Sequence, residues 1–410
     1  MSAQESESFN LAGISDPIIQ DFILAHENDD ENKILLKNKI IGGLSAKVIA
    51  SQIAGRKKAK DKLPLWHQTR GIIYPPPLNL EQCSSQATAS FKAKILKEEC
   101  QSFGAGADIT GGFGVDSFFL SQIFAHFHYV EQNAHLADIV KNNHMLLNPT
   151  NSITHTISSA EEFIDTTSDK VDLIYLDPSR RNELDKKVFK LADCSPDIIQ
   201  MQSSLFNISD RILLKASPLL DIPLGISEIR NVKKVWVVAV QNECKEILFL
   251  SQKDFAGEPI VEAVNLSSEG YVLESFAFSL RDEKEAVSEF AEPRAYLYEP
   301  NAAIMKSGAF KLTGQRFGIS KLQANTHLYT SDDLLSDFPG RVFKMSELNP
   351  GSREATRLYP LGKANVLVRN YPLSAEELKK KWKLKDGGDL YLIGFSGQQR
   401  KYVAAATRIK

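Results

Sequence analysis

The chain has 410 residues, 43% hydrophobic and 24% charged, proportions that fit a soluble globular protein of two or three domains. Its net charge is −2, its first ten residues are polar and acidic, and no run nears the roughly 18 apolar residues of a membrane helix, so neither a leader nor a membrane span is expected. Cys83, Cys100, Cys194 and Cys244 lie far apart without a CxxC pair, which argues against a zinc or disulfide framework and suits a reducing cytoplasm.

Residues 1 to about 62 read as helices. Lys33–Ile53 repeats apolar residues at three- and four-residue spacing, and a basic cluster follows at Arg56, Lys57, Lys58, Lys60 and Lys62. Pro75-Pro76-Pro77 forces an extended segment and marks a boundary. A helix is predicted over Leu80–Glu99. From Ala105 to Ser251 short apolar runs alternate with helical stretches. The runs are Ala107–Thr110, His128–Glu131, Ile153–Ile157, Val171–Asp177, Arg211–Ala216, Val235–Val240 and Ile247–Ser251. Asp116–Ala125 and Ala134–Leu147 are the clearest helices between them.

This alternation predicts an α/β fold with βαβ units around a mostly parallel, Rossmann-like sheet. The last two runs are joined only by Gln241–Glu246, too short for a parallel crossover, so they should close the sheet as an antiparallel hairpin. Two further strands, Ile260–Leu266 and Gly270–Phe278, precede small α+β modules at roughly 281–325 and 326–410. The end of the chain is basic: Arg341–Lys410 holds 15 Lys and Arg against 6 Asp and Glu, a net of +9, and the other 340 residues carry −11. Such a module suggests a polyanionic partner, and a solvated basic face explains the charge equally well.

The first strand runs into Asp108-Ile109-Thr110-Gly111-Gly112-Phe113-Gly114, and a helix follows at once. Glycines at Gly111, Gly112 and Gly114 permit positive φ and clear the backbone for a ligand lying on it. Glu131, 23 residues after Asp108 and at the end of the second strand, is placed to accept hydrogen bonds from ribose hydroxyls. Both features are shared with nicotinamide-dependent oxidoreductases. The third signal separates them: the apolar run Asp172–Leu176 ends in Asp177-Pro178-Ser179-Arg180-Arg181, at the carboxyl edge where ligands of open α/β folds bind.

These segments resemble class I S-adenosylmethionine-dependent methyltransferases. The DITGGFGVD segment resembles their first motif, Glu131 their ribose-binding acid and DPSRR their fourth motif. LEQCSSQATA (80–89), LLKASPLLDI (213–222), QNECKEILFL (241–250) and YEPNAAIMKSGAF (298–310) extend the likeness to a bacterial family with a ferredoxin-like insert and a THUMP-like C-terminal module. The implied organisation is a helical region at 1–79, a methyltransferase domain at 80–280, a ferredoxin-like module at 281–325 and a THUMP-like module at 326–410. The implied cofactor, S-adenosylmethionine, would be bound by Asp108, Gly111, Gly112, Gly114, Glu131 and Ser159. Ser159 stands where many such enzymes place an adenine-binding Asp, with Glu161 as the alternative.

The implied acceptor site is Asp177, Pro178 and Ser179, since Asp-Pro turns of nitrogen methyltransferases orient a lone pair at the methyl group. Methyl transfer of this kind needs no metal. A nitrogen of an RNA base is the favoured acceptor, with RNA implied by the THUMP-like module; Ser179 replaces the usual second proline and leaves the target open. Arg180 and Arg181 would hold a phosphate or carboxylate, or form an exposed surface pair. Lys215, near the carboxyl end of the fifth strand, faces either the site or a crowded wall. Lys379, Lys380 and Lys383 follow a helix start at Ser374-Ala375-Glu376-Glu377 and, if the helix continues, share one face able to track a phosphate backbone. Trp382, Tyr391, Phe395 and Tyr402 would serve base stacking or a sheet core. The competing readings are a small-molecule or protein methyltransferase and a non-catalytic RNA-binding protein on the same fold.

Overall fold

The computed structural model describes residues 11–410 except Asn38, Asn151 and residues 181–190, with Arg180 described in its backbone alone. The chain divides into two compact units. The first comprises Met1–Lys234, Glu246–Gly257 and Leu266–Tyr271, and the second Val235–Lys245, Glu258–Asn265 and Val272–Lys410.

The first unit begins with helices, but the periodic stretch Lys33–Ile53 is not one of them. A helix at Glu31–Lys37 is followed by a small ribbon, Ile40–Ile41 paired with Leu44–Ser45, before α1 (Ala46–Lys62) starts under a Ser45 cap. Gly42 and Gly43 turn the ribbon with φ of +54° and +83°, a conformation no helix interior supplies. The helix expected over Leu80–Glu99 is likewise two, α2 (Pro77–Gln82) and α3 (Gln86–Glu99). Ser85 is extended, and its hydroxyl accepts the Thr88 N–H at 3.2 Å, so a new N-terminus begins there. These helices bury Trp66 edge-on against Phe118, with ring centroids 5.2 Å apart. The Gln52 amide satisfies both backbone groups of Tyr74, and Asn143 does the same for Ile73, so the chain around the proline run is held without regular structure.

Six strands then build the first unit's sheet: β1 (Ala105–Asp108), β2 (His126–Glu131), β3 (Ile153–Ile157), β4 (Leu173–Leu176), β5 (Arg211–Ala216) and β7 (Glu243–Gln252). Their order is β7-β5-β4-β1-β2-β3. β1 pairs in parallel with β2 and β4, as do β2 with β3 and β4 with β5, and β7 is antiparallel to β5. β6 (Val232–Val240) neighbours β7 through the two-residue turn Gln241-Asn242, both at positive φ, which is the expected closing hairpin. Helices α4 (Val115–Ser121), α5 (Ala134–Leu147) and α6 (Ala160–Thr166) occupy the connections after β1, β2 and β3. The carboxyl ends of β1 and β4, in the middle of this order, therefore form the switch point where ligands bind in open α/β sheets.

In the second unit β8 (Ile260–Leu266) and β9 (Val272–Ser279) continue from β6, in the order β9-β8-β6. A separate seven-stranded sheet follows. Its strands are β10 (Tyr296–Pro300), β11 (Ser320–Lys321), β12 (Tyr329–Ser331), β13 (Gly340–Leu348), β14 (Asn365–Arg369), β15 (Leu390–Ser396) and β16 (Lys401–Arg408). Their order is β11-β12-β10-β13-β16-β15-β14, antiparallel except for the β14–β15 pair. Glu299 on β10 is buried and ion-paired to Arg341 on β13 and Arg369 on β14, so a desolvated carboxylate is compensated by two guanidinium groups.

Candidate active site

The loop after β1 is built on its glycines. Gly112 and Gly114 adopt φ of +52° and +69°. A Cβ on Gly111 would fall 2.3 Å from the Tyr129 ring, whereas beside Gly112 it would meet only the Thr110 carbonyl at 3.8 Å. The loop is thus pressed onto β2 at one residue and open at the next. Its carbonyls are held from behind: Tyr129 donates to Gly112 O at 2.7 Å, and His144 Nε2 donates to Gly114 O at 2.9 Å. Since that carbonyl can only accept, the His144 Nδ1 is the acceptor for His155 Nε2–H, 3.0 Å away. Burial pushes His144 down to about 3 and His155 to about 4, which keeps the pair neutral.

Glu131 joins the loop to the next helix. One carboxylate oxygen accepts the Gly112 N–H at 2.9 Å and the other the Asn133 N–H at 2.8 Å. It is half-buried, and each oxygen keeps a lone pair for a further donor. Asp108 lies elsewhere. It is 1% exposed beneath the loop, where it accepts from the Ser117 hydroxyl and from Thr110 N–H at 3.0 Å. Burial raises it to about 7, so Asp108 braces the loop from inside. Ser159 caps α6 by accepting Glu162 N–H at 3.1 Å. Phe163 is buried beside the His128 ring.

Across the switch point, β4 ends in Asp177 and the buried Pro178, with Ser179 exposed. The Asp177 N–H donates to Thr110 Oγ1 at 2.6 Å, and the Asp177 carboxylate is ion-paired to Lys215 of β5. Burial works against the charge on Lys215, but Asp177, Asp116 and Glu246 outweigh it and hold the ammonium well above the ordinary lysine range. Lys215 therefore faces the site, and its partner is Asp177. Ser179–Arg180 pairs as a short ribbon with Cys194–Ser195, which puts the buried Cys194 in a paired segment beside the turn. The Arg180 side chain and Arg181 lie outside the described residues.

A buried polar cluster adjoins this turn. Lys92 of α3 ion-pairs with Asp116 at 3.1 Å and Glu246 at 2.7 Å, and Ser84 and Tyr175 donate to Asp116 at 2.7 and 2.8 Å. Sequence reasoning missed Thr110, Lys92, Asp116 and Glu246. A lone charge inside an apolar stretch was the available signal, in Phe91-Lys92-Ala93 and in Glu246-Ile247-Leu248-Phe249.

The expected lysine face differs from the observed one. Helix α7 (Ala375–Trp382) starts as expected, with a capping box between Ser374 and Glu377, but it stops at Trp382. Lys383 adopts φ +54° as the C-cap and so leaves the helical face shared by the others. Lys379 is bound to Glu376 and Asp386, each at 2.6 Å, whereas Lys380, Lys381, Lys383 and Lys385 are exposed. Trp382, Phe395 and Tyr402 are buried in the sheet's cores and offer no stacking platform. Among the described residues no helix is long and apolar enough to cross a membrane, and no group of three or more His, Cys, Asp or Glu is arranged to hold a metal.

The strand order 6-7-5-4-1-2-3, with a glycine loop after the first strand and an acid ending the second, defines the class I S-adenosylmethionine-dependent methyltransferase fold. Residues 296–339 match a ferredoxin-like domain family and residues 340–408 a THUMP domain-like family. The two matched stretches contribute strands to one sheet. A provisionally named methyltransferase from Porphyromonas gingivalis W83 is 30% identical, with 96% of this chain and 98% of that chain covered and a TM-score of 0.85. The chain belongs to the family of that protein, class I methyltransferases carrying a ferredoxin-like and a THUMP-like domain.

More distant structures include an S-adenosylmethionine-dependent methyltransferase from Agrobacterium tumefaciens (14% identity, 47% and 60% covered, TM-score 0.32). Another is the tRNA m1G37 methyltransferase of M. jannaschii (15% identity, 42% and 51% covered, TM-score 0.28). No curated protein sequence matches the chain.

Proposed function

We propose that the protein transfers a methyl group from S-adenosylmethionine to a nitrogen of an RNA base. The observation that carries this reading is the direct junction of the glycine loop and the Asp177-Pro178 turn through the Thr110 hydroxyl, on adjacent strands at the switch point. The residues fit the cofactor: Gly112 is open on one side, and Glu131 is already held by two amide donors and retains acceptor capacity for a ribose diol. In this reading Gly111, Gly112 and Gly114 give the backbone cradle, and Asp108 keeps it in shape from beneath. The Ser159 hydroxyl, whose oxygen caps α6, keeps its hydrogen to donate to an adenine. The cofactor supplies an electrophilic methyl group on a sulfonium.

The chain's own task is to present a nucleophilic lone pair in line and to exclude water, effects together worth up to roughly 7–11 kcal/mol. Asp177 and the Pro178 carbonyl hold the acceptor, with Ser179 at the exposed rim. Lys215 pairs with the Asp177 carboxylate and fixes its direction, which favours a neutral N–H group over a cationic amine that would need an unpaired carboxylate. Arg180 and Arg181 supply cations for a phosphate next to the target. RNA is supported by the THUMP domain-like match and by the +9 charge of Arg341–Lys410, whose exposed lysines include Lys380, Lys381, Lys383 and Lys385. Mass spectrometry of RNA nucleosides from cells with and without the gene tests this. The reading expects one methylated base to disappear on deletion. An unchanged RNA profile alongside a lost methyl mark on protein or a metabolite would replace RNA as the substrate.

A further inference from the structure

In a parallel ladder the strand that accepts at one residue donates again two residues on. Here Tyr175 O accepts from Ile109 N–H at 3.1 Å, but the donor two residues on, Asp177 N–H, goes to a side chain, Thr110 Oγ1, at 2.6 Å. The same hydroxyl lies 3.4 Å from Asp108 Oδ1, and Thr110 N–H donates to that oxygen at 3.0 Å. A hydroxyl has one proton to give and lone pairs to receive, so Thr110 accepts from the acceptor turn and donates toward the acid under the cofactor loop. Asp108 is in turn held by Ser117 of α4. A continuous line thus runs from α4 through Asp108 and Thr110 to the backbone of Asp177, and Lys215 fixes the Asp177 carboxylate from β5.

We infer that Thr110 is a positioning residue that couples occupancy of the cofactor loop to the order of the Asp177-Pro178 turn. This rests on the reading of the loop as an S-adenosylmethionine site. A ligand that steadies residues 109–114 steadies the Thr110 hydroxyl, and with it the backbone that carries Asp177. Valine at this position keeps the shape and removes the hydroxyl. Alanine removes it without β-branching, and serine restores it.

The test is hydrogen exchange at the Asp177 amide in full-length wild type and in Thr110→Val, Thr110→Ala and Thr110→Ser, with and without saturating S-adenosylhomocysteine. Binding is checked by calorimetry in each protein. Loss of one neutral hydrogen bond predicts exchange roughly fivefold faster in the Val and Ala variants. The added protection on binding should be present in wild type and Ser and absent in Val and Ala. Equal ligand-induced protection in all four proteins overturns the coupling, as does a loss in Ser equal to that in Val. Wild type that fails to bind S-adenosylhomocysteine overturns the cofactor reading instead.

Discussion

Replacing Glu131 by Ala removes three things at once. The loop loses the acceptor for Gly112 N–H at 2.9 Å, the start of α5 loses the acceptor for Asn133 N–H at 2.8 Å, and a bound ribose loses its partner. Hydrogen bonds to a charged group are worth about 1.5–3 kcal/mol each, and the half-buried position argues for the lower end. Loss of one such bond to the ligand is about 1.5 kcal/mol, or roughly tenfold in affinity, and loop disorder adds to it. Glu131→Gln is the informative companion. Its amide keeps the shape and one acceptor oxygen, yet turns an NH2 toward one of the two backbone donors, so it should fall between wild type and Ala in both affinity and thermal stability. Isothermal calorimetry with S-adenosylhomocysteine reads the effect directly. Unchanged affinity in Glu131→Ala, or tighter binding of a nicotinamide dinucleotide by wild type, would overturn the role of Glu131 as the ribose acid of an S-adenosylmethionine site.

Three other outcomes are expected. Asp177→Asn keeps the backbone tie to Thr110, so it should bind S-adenosylhomocysteine within about threefold of wild type, since a retained contact leaves binding intact, while losing turnover at least a hundredfold, about the contribution of a positioned catalytic group. His144 has its folded value pushed below its unfolded one, to about 3, so its contribution to stability is complete above about pH 6.5 and is lost as pH falls toward 3. Unfolding free energy from denaturant titrations should therefore fall more steeply over that window in wild type than in His144→Gln. Replacing Lys380 and Lys383 by Gln should flatten the slope of log RNA affinity against log salt by about 1.4, at about 0.7 per single-strand phosphate contact, without altering calorimetric binding of S-adenosylhomocysteine.

The features legible in the sequence are those set by local pattern. Ile153–Ile157 and Arg211–Ala216 are strands and Ala134–Leu147 is a helix within the bounds that periodicity gives. The glycine loop and the Asp-Pro turn stand out because backbone geometry restricts residue choice there. Periodicity failed where single residues override it: Gly42-Gly43 turns a stretch with helical spacing, Ser85 starts a new helix, and Lys383 closes one in a left-handed conformation. Side-chain direction was also beyond reach. Asp108 and Glu131 both end strands, and packing alone turns the first under the loop and the second alongside it. Lys92 and Glu246 are 154 residues apart, so no local pattern announces their ion pair. Thr110 passes for a loop residue until β4 is placed beside β1.

In the proposed reaction the site moves a methyl group to RNA through the Asp177 turn. Its most direct test incubates the purified full-length protein with S-adenosylmethionine carrying a tritiated methyl group and total RNA from cells lacking the gene. Wild type should place label in RNA, and Asp177→Asn should leave it unlabelled while still binding S-adenosylhomocysteine. Label that reaches RNA equally with both proteins, or no label in RNA with wild type, would rule this reaction out.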